Sequence, residues 1–279
     1  WVGRVTDKVQ LRFIDNDGQQ ITGFEFLEGD DAFTFDRVAD STREVLPSVD
    51  SILAKYKLED RGTALDALGC FKFEGKTQMK QSGVSGQFTV LVDTAGRFLS
   101  EMDCGKYGWV RFGVIDDAGM MDLSIVGPKE LTANQLKHIK MYGSPLAWIG
   151  NWWDEYANIT LLKAEIIDNR DVWVLKLKNE DDPAKTITVD QETGDVLEVR
   201  SEQLIPEIGG SLPYILFYAD FKMIGGVRMP TTMTQRNDMT GDSMSTFHTV
   251  ETGVDVPDSL FRIEPRERPT PWIAVLQTG

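Results

Sequence analysis

The stretch ELTANQLKHIKMYGSPLAWIGNWWDEY, Glu130 to Tyr156, decides how this chain is read. Two short helical pieces meet at Gly143-Ser144-Pro145, and the second carries Leu146, Ile149, Trp152, Trp153 and Tyr156 at spacings of three and four. That spacing predicts a helix with one apolar face. A helix so rich in aromatic side chains needs a broad apolar surface beneath it. In both directions away from it the chain reads mostly as strands. The stretch is therefore expected to roof a curved sheet with an apolar interior, lined by Leu146, Trp148, Ile149, Trp152, Trp153 and Tyr156. Gly143 and Pro145 are the expected hinge of that roof.

Toward the N-terminus, Val5, Val9, Leu11 and Phe13 alternate with polar residues, and Asp15-Asn16-Asp17-Gly18 makes a turn. Ile21, Phe24, Phe26, Phe33 and Phe35 resume the pattern, which predicts a small β unit over residues 1–40. The turn is not a calcium loop, because its glycine comes two positions early and no glutamate closes it. A polar linker leads to Pro47, which opens a helix with Val49, Ile52, Leu53 and Tyr56 on its apolar face. Gly62 interrupts, and Ala64, Leu65 and Leu68 make a second short helical turn.

From Cys70 the apolar residues alternate between Gly and Asp turns. Strands are predicted at about 70–80, 85–93, 96–103, 107–115 and 120–126 before the roof. After it they are predicted at about 158–167, 171–178, 185–190, 195–203, 213–222, 227–236, 244–251 and 260–264. Short strands at this spacing suggest one highly curved antiparallel sheet or an incomplete barrel. The predicted class is mainly β with a helical insert (α+β), in two domains, residues 1–40 and 41–279.

With 44 acidic against 29 basic side chains the formal charge is −15, which disfavours nucleic acid and anionic bilayers as partners. No run of about 18 apolar residues occurs, so no transmembrane helix is expected. The opening Trp1-Val2-Gly3 has no methionine and no signal-type segment, and reads as a processed product or a piece of something longer. Cys70 and Cys104 are too few for a zinc site, but could form one disulfide in an oxidising compartment if their Cα atoms approach.

Residues with chemistry to offer are sparse. His138 reads as an exposed helix residue and His248 as a strand residue, and neither sits in a G-x-S-x-G, S-x-x-K or H-E-x-x-H setting. Asp154 and Glu155 lie beside Trp152-Trp153, as glycosidase carboxylates lie near aromatic platforms. Adjacent helical residues point about 100° apart, so these two cannot flank one bond and read as solvated charges. Gly105-Lys106-Tyr107-Gly108 lacks the phosphate-loop spacing. No enzyme activity, metal or cofactor is expected. In the turn VDQETG, Asp190 is placed to accept backbone N–H groups; Asp220 should face solvent or pair with Lys222 or Arg228; Gly225-Gly226 fits a type I′ turn.

Three stretches carry a family likeness: PSVDSILAKYKLEDRGTALDALGCFKFEG (Pro47 to Gly75), NITLLKAEIIDNRDVWVLKLK with ITVDQETGDVLEVRSE (Asn158 to Glu202), and FYADFKMIGGVRMP (Phe217 to Pro230). In order and spacing they resemble the lipoprotein-carrier superfamily, the outer-membrane lipoprotein-sorting proteins, over residues 47–264. The resemblance implies an incomplete antiparallel barrel with helices across its open side and an apolar cavity. It also implies that Trp109 faces inward from the wall and joins the lining. The implied function is non-enzymatic binding of a lipid, acyl chain or lipidated protein, in the periplasm of a Gram-negative bacterium or outside the cell. LRFIDNDGQQITGFEFLEGDDAFTFDRVAD (Leu11 to Asp40) is similar to the small β domain that trails serine-β-lactamase-like hydrolases. That likeness implies an enzyme domain upstream, and the alternative role of an accessory domain to a secreted or periplasmic hydrolase.

Overall fold

The computed structural model of the chain describes residues 2–4, 9–16, 20–28, 31–36, 46–57, 60–180, 183–205, 210–237, 241–264 and 266. It divides into two compact units, residues 1–46 and 47–279.

In the smaller unit, β1 (Val2–Arg4), β2 (Val9–Asn16), β3 (Gln20–Glu28) and β4 (Asp31–Asp36) form a four-stranded antiparallel meander in chain order. Cross-strand register sets Phe24 against Phe35 and Phe26 against Phe33, with ring centroids 4.8 and 6.4 Å apart. Val5, residues 17–19 of the turn and 37–45 of the linker lie outside the described residues.

The larger unit opens with two helices, α1 (Val49–Lys57) and α2 (Arg61–Ala67). Ser48 Oγ accepts the Ser51 N–H at 3.2 Å and so caps α1, whose Ile52, Leu53 and Tyr56 are buried on the face that the sequence marks as apolar. Six strands follow: β5 (Phe71–Met79), β6 (Ser85–Val92), β7 (Phe98–Asp103), β8 (Trp109–Ile115), β9 (Ala118–Leu123) and β10 (Gly127–Glu130). Then come α3 (Ala133–His138) and the roof segment. The rest is β11 (Asn158–Ile167), β12 (Arg170–Lys178), β13 (Lys185–Asp190), β14 (Val196–Ile205), β15 (Gly210–Ala219), β16 (Lys222–Ile224), β17 (Val227–Met229), β18 (Thr232–Asn237) and β19 (Ser243–Thr252).

Thirteen of these strands build one curved, open antiparallel sheet in the order β10-β9-β8-β7-β6-β5-β19-β18-β15-β14-β13-β12-β11. It is two meandering arms, β5–β10 and β11–β19, joined where β19 returns to pair with β5. Gly75 sits at that junction. A Cβ there would lie 2.2 Å from the Thr246 carbonyl oxygen, so only glycine permits the approach. Register shifts after Leu161, Thr188 and Phe247 mark bulges, which bend and twist a sheet.

Two sequence expectations need correction. The single strands predicted at 213–222 and 227–236 are each broken near Asp220 and Pro230. Asp220 takes a left-handed φ of 54° that ends β15, and β16 and β17 fold out as a separate hairpin before β18 begins. The hairpin turns on Gly225 and Gly226 at φ of 58° and 87°, both positive as a type I′ turn requires. The terminal piece predicted at 260–264 is a 3-10 turn, Asp258–Phe261, following Pro257, which has no N–H to offer a ladder. It covers the outer face of the sheet, where Phe261 and Ile263 pack with Cys70, Leu91 and Leu99.

Candidate functional site

The two free edges of the sheet are β10 and β11, which are also consecutive in the chain. The segment between them must therefore cross from one edge to the other, and it does so over the inner face. Thr132 starts it with a reciprocal cap, its hydroxyl accepting the Gln135 N–H while Gln135 Oε1 accepts the Thr132 N–H. α3 then runs into a π turn over Ile139–Gly143.

Beyond Gly143 the predicted helix is not formed. Ser144 is extended, its hydroxyl accepting the Leu146 N–H at 3.2 Å; Ala147 and Ile149 donate only to carbonyls three residues back. A 3-10 turn over Trp152–Glu155 closes the crossing. Between Pro145 and Gly150 there is too little chain to nucleate an α-helix, and the apolar side chains divide between the two arms instead of sharing one face, the indoles to one and Leu146 and Ile149 to the other.

The side chains still do what the aromatic content required. Leu146, Trp148, Ile149, Trp152 and Trp153 are only 5–7% exposed. They divide between the arms. Trp148, Trp152 and Trp153 join Leu175, Leu177, Tyr214 and Tyr218 beneath α1. Leu146 and Ile149 join Phe71, Phe73, Phe88 and Phe98, together with Leu65 of α2. The indoles touch as a chain: Trp148 lies 6.2 Å from Trp152, and Trp152 lies 5.5 Å edge-on to Trp153. Tyr156 is half-buried, stacked on Trp148 at 6.3 Å and capped by the Lys185 ammonium 5.2 Å from its ring. Asp154 and Glu155 are exposed. Gly143 lies beside Phe98, and Pro145 is buried.

His138 is not the exposed residue expected from the sequence. Its ring is half-buried, 4.7 Å from both Tyr142 and Tyr214, which lie 4.8 Å from each other. Burial lowers its pKa from 6.5 to about 4, so it is neutral here at pH 7. Burial and neighbouring tyrosines push the hydroxyls of Tyr214 and Tyr218 up, so both stay protonated. Two buried polar atoms in this arm have no hydrogen-bond partner among the described residues, Trp148 Nε1 and Tyr218 OH.

Roof side chains pack against the inner face of both arms. Two surface grooves of about 300 Å³ lie elsewhere, one along Lys76, Gln78, Met244, Thr246 and His248, the other around Arg170, Asp190 and Glu192. Trp109 does not face the interior. Phe112 and Val114 do, and strand alternation puts Trp109 on the opposite face with Ile115, its indole N–H donating to Asp122 Oδ2 at 3.1 Å. The disulfide that the sequence allows is not made: Cys70 and Cys104 are free, buried thiols.

A polar latch that the sequence did not suggest fastens the helices to the sheet. The Asp195 side chain, 0% exposed, accepts from Arg61 Nη1 at 3.1 Å and Arg228 Nε at 2.5 Å. Tyr56 OH donates to the Asp190 carbonyl at 3.1 Å, and Asp190 Oδ1 accepts the Glu192 and Thr193 N–H groups, as read from VDQETG. Arg228 thus serves Asp195, while exposed Asp220 accepts from the Thr232 hydroxyl at 2.7 Å. Only the position of Asp195 just after a tight turn hinted at the latch.

No family model and no curated protein matches the chain. Solved structures do. A domain described as an outer membrane lipoprotein-sorting protein, from Vibrio parahaemolyticus, superposes with a TM-score of 0.53 at 16% identity, covering 76% of this chain and 94% of its own. A DUF1329 family protein from Desulfovibrio piger gives 0.53 at 15% identity, covering 76% and 97%. A LolA superfamily protein from Nitrosomonas europaea gives 0.50 at 16%, covering 78% and 99%. The chain therefore has the fold of LolA-superfamily lipoprotein-sorting domains. None of these three is described as a hydrolase, and the likeness of Leu11 to Asp40 to a hydrolase tail gains no support from them.

Proposed function

We propose that this chain is a non-enzymatic binding protein that takes a lipid, an acyl chain or the acylated end of a lipoprotein between the roof and the inner face of the sheet. The observation that carries this reading is a single crossing segment with three tryptophans buried against one arm, where two polar atoms lack partners among the described residues. The roof holds the site closed, and the guest takes the place of its indoles when it lifts. Gly143 and Pro145 are the proposed hinge of that motion.

The energetics suit such an exchange. An unpartnered buried N–H or O–H costs about 1–3 kcal/mol, which a guest's ester or amide carbonyl would relieve at Trp148 or Tyr218. Each methylene buried contributes about 0.8 kcal/mol, so a chain of roughly 10–16 carbons offsets the uncovering of the indoles. Ten methionines, Met233 and Met141 among them at the edge of the aromatic core, supply adaptable apolar surface. The fold shared with proteins described as lipoprotein-sorting agrees with this reading, and with a periplasmic or secreted setting.

Native mass spectrometry of the delipidated chain titrated with palmitate tests it. One bound palmitate is expected on the wild-type chain. Trp152→Ala combined with Trp153→Ala, confirmed folded by circular dichroism, should lose it. Undiminished binding by that variant would show the mechanism to be wrong.

A further inference from the structure

The structure points to a second use of the molecule, independent of any guest: we infer that two copies join edge to edge through β11. The two edges of the thirteen-stranded sheet are managed differently. β10 is four residues long and includes Pro128, which lacks an N–H, so it is a poor template. β11 is ten residues long, and it exposes Leu162 at 48%, Ile166 at 71% and Ile167 at 37%. An edge strand of that length, with apolar side chains in water, invites another strand.

The sequence of β11 says which strand. An antiparallel pair made from two copies of one strand is symmetric about a single point. Centred on Ala164, the pairing sets Lys163 opposite the partner's Glu165, and by symmetry Glu165 opposite the partner's Lys163. It also brings Leu162 to the partner's Ile166. Centring instead on Lys163 or Glu165 would set like charges face to face, which is unfavourable. Residues 163–167 pair in unbroken register with β12, so Lys163, Ala164 and Glu165 can form a regular ladder about the axis; Leu162, which would meet the partner's Ile166, is the residue of the bulge at its end. Lys163 and Glu165 already lie 2.5 Å apart within the strand, with side chains 58% and 32% exposed, so the second copy meets charges that are arranged and accessible. The opposite-charge self-complementarity of Lys163–Glu165, flanked by the exposed Leu162 and Ile166, favours a copy of this chain over an unrelated peptide.

The dimer is expected to be reversible, because one added strand pair buries less surface than a standard stable interface. Sedimentation equilibrium on the full chain should show the mass doubling with concentration. Ile166→Lys should leave a monomer. Lys163→Glu should weaken association about tenfold, and Lys163→Glu with Glu165→Lys should recover it, because the swap restores opposite charges. Ala164→Cys places two thiols across the two-fold axis, within disulfide reach for directly opposed residues. Cys70 and Cys104 will not compete, being buried with their thiol pKa values raised by that burial. A monomer at every concentration would overturn the proposal. So would a dimer indifferent to Ile166→Lys, or one in which Ala164→Cys forms no interchain bond.

Discussion

The two arms of the sheet fill their inner faces with different kinds of aromatic residue. The first arm buries Phe71, Phe73, Phe88 and Phe98 with aliphatic neighbours, a core without polar tips. The second buries Tyr142, Tyr214 and Tyr218 with three roof indoles, and it keeps His138 against two of those rings. Phenylalanine asks nothing of its surroundings except to be dry, so the first arm is complete as it stands. Tyrosine and tryptophan carry an O–H or N–H that needs a partner, and here Trp148 Nε1 and Tyr218 OH have none among the described residues. The first arm reads as scaffold, the second as the side built to receive something.

The largest effect that would break this contrast lies in the first arm. Phe73→Ala removes a side chain with no solvent exposure, and it should destabilise the larger unit by about 3–5 kcal/mol in urea unfolding. Molecules that remain folded should still take up palmitate with wild-type affinity; a selective loss of uptake would mean that the scaffold arm is part of the site.

Acid probes the second arm. The folded His138 refuses until about pH 4 the proton that the unfolded imidazole accepts near 6.5. The unfolded state therefore binds more protons in that window, and stability must fall as pH drops through it. The loss reaches at most about 3 kcal/mol at pH 4 and then levels off. His138→Phe should flatten the profile of unfolding free energy between pH 7 and 4, and an unchanged slope would show that the ring is wetter than its packing suggests.

The smallest effect has the sharpest sign. Tyr218→Phe deletes an unpartnered hydroxyl, so the empty protein should become more stable by about 1 kcal/mol while its hold on palmitate weakens several-fold. Stability and binding moving in the same direction would remove the distinction between the arms.

Much of the fold was legible in the sequence because it is written locally. Alternation bounded by Gly and Asp turns located most strands of the sheet, Gly225-Gly226 fixed one turn, and the Val49, Ile52, Leu53, Tyr56 spacing marked the buried face of α1. What failed depends on distance or on a single step of register. Trp109 lies on the outer face because strand alternation admits no middle choice, and an error of one residue reverses it. The roof has its predicted side chains in the core without its predicted helix, since spacing cannot tell one apolar face from two when Trp148 and Ile149 part company between the arms. Tyr214 and Tyr218 are not legible as site residues, because alternation marks them only as inward-facing, and Tyr214 meets His138 from 76 residues away in the sequence. Asp195 carries no local mark beyond following a turn, and its role depends on Arg61 and Arg228, which reach it from distant parts of the sequence.

The central claim is that the roof must lift for a guest to enter, and fastening it tests this most directly. A Cβ at Gly150 would stand 3.7 Å from the Cα of Gly62 in α2, close enough for Gly62→Cys with Gly150→Cys to bridge roof and helix once the exposed Asn151 side chain turns aside. Palmitate binding is then measured on the oxidised and the reduced forms of that one variant. The roof account predicts no uptake when the bridge is closed and wild-type uptake when it is reduced; equal uptake by both forms would contradict it.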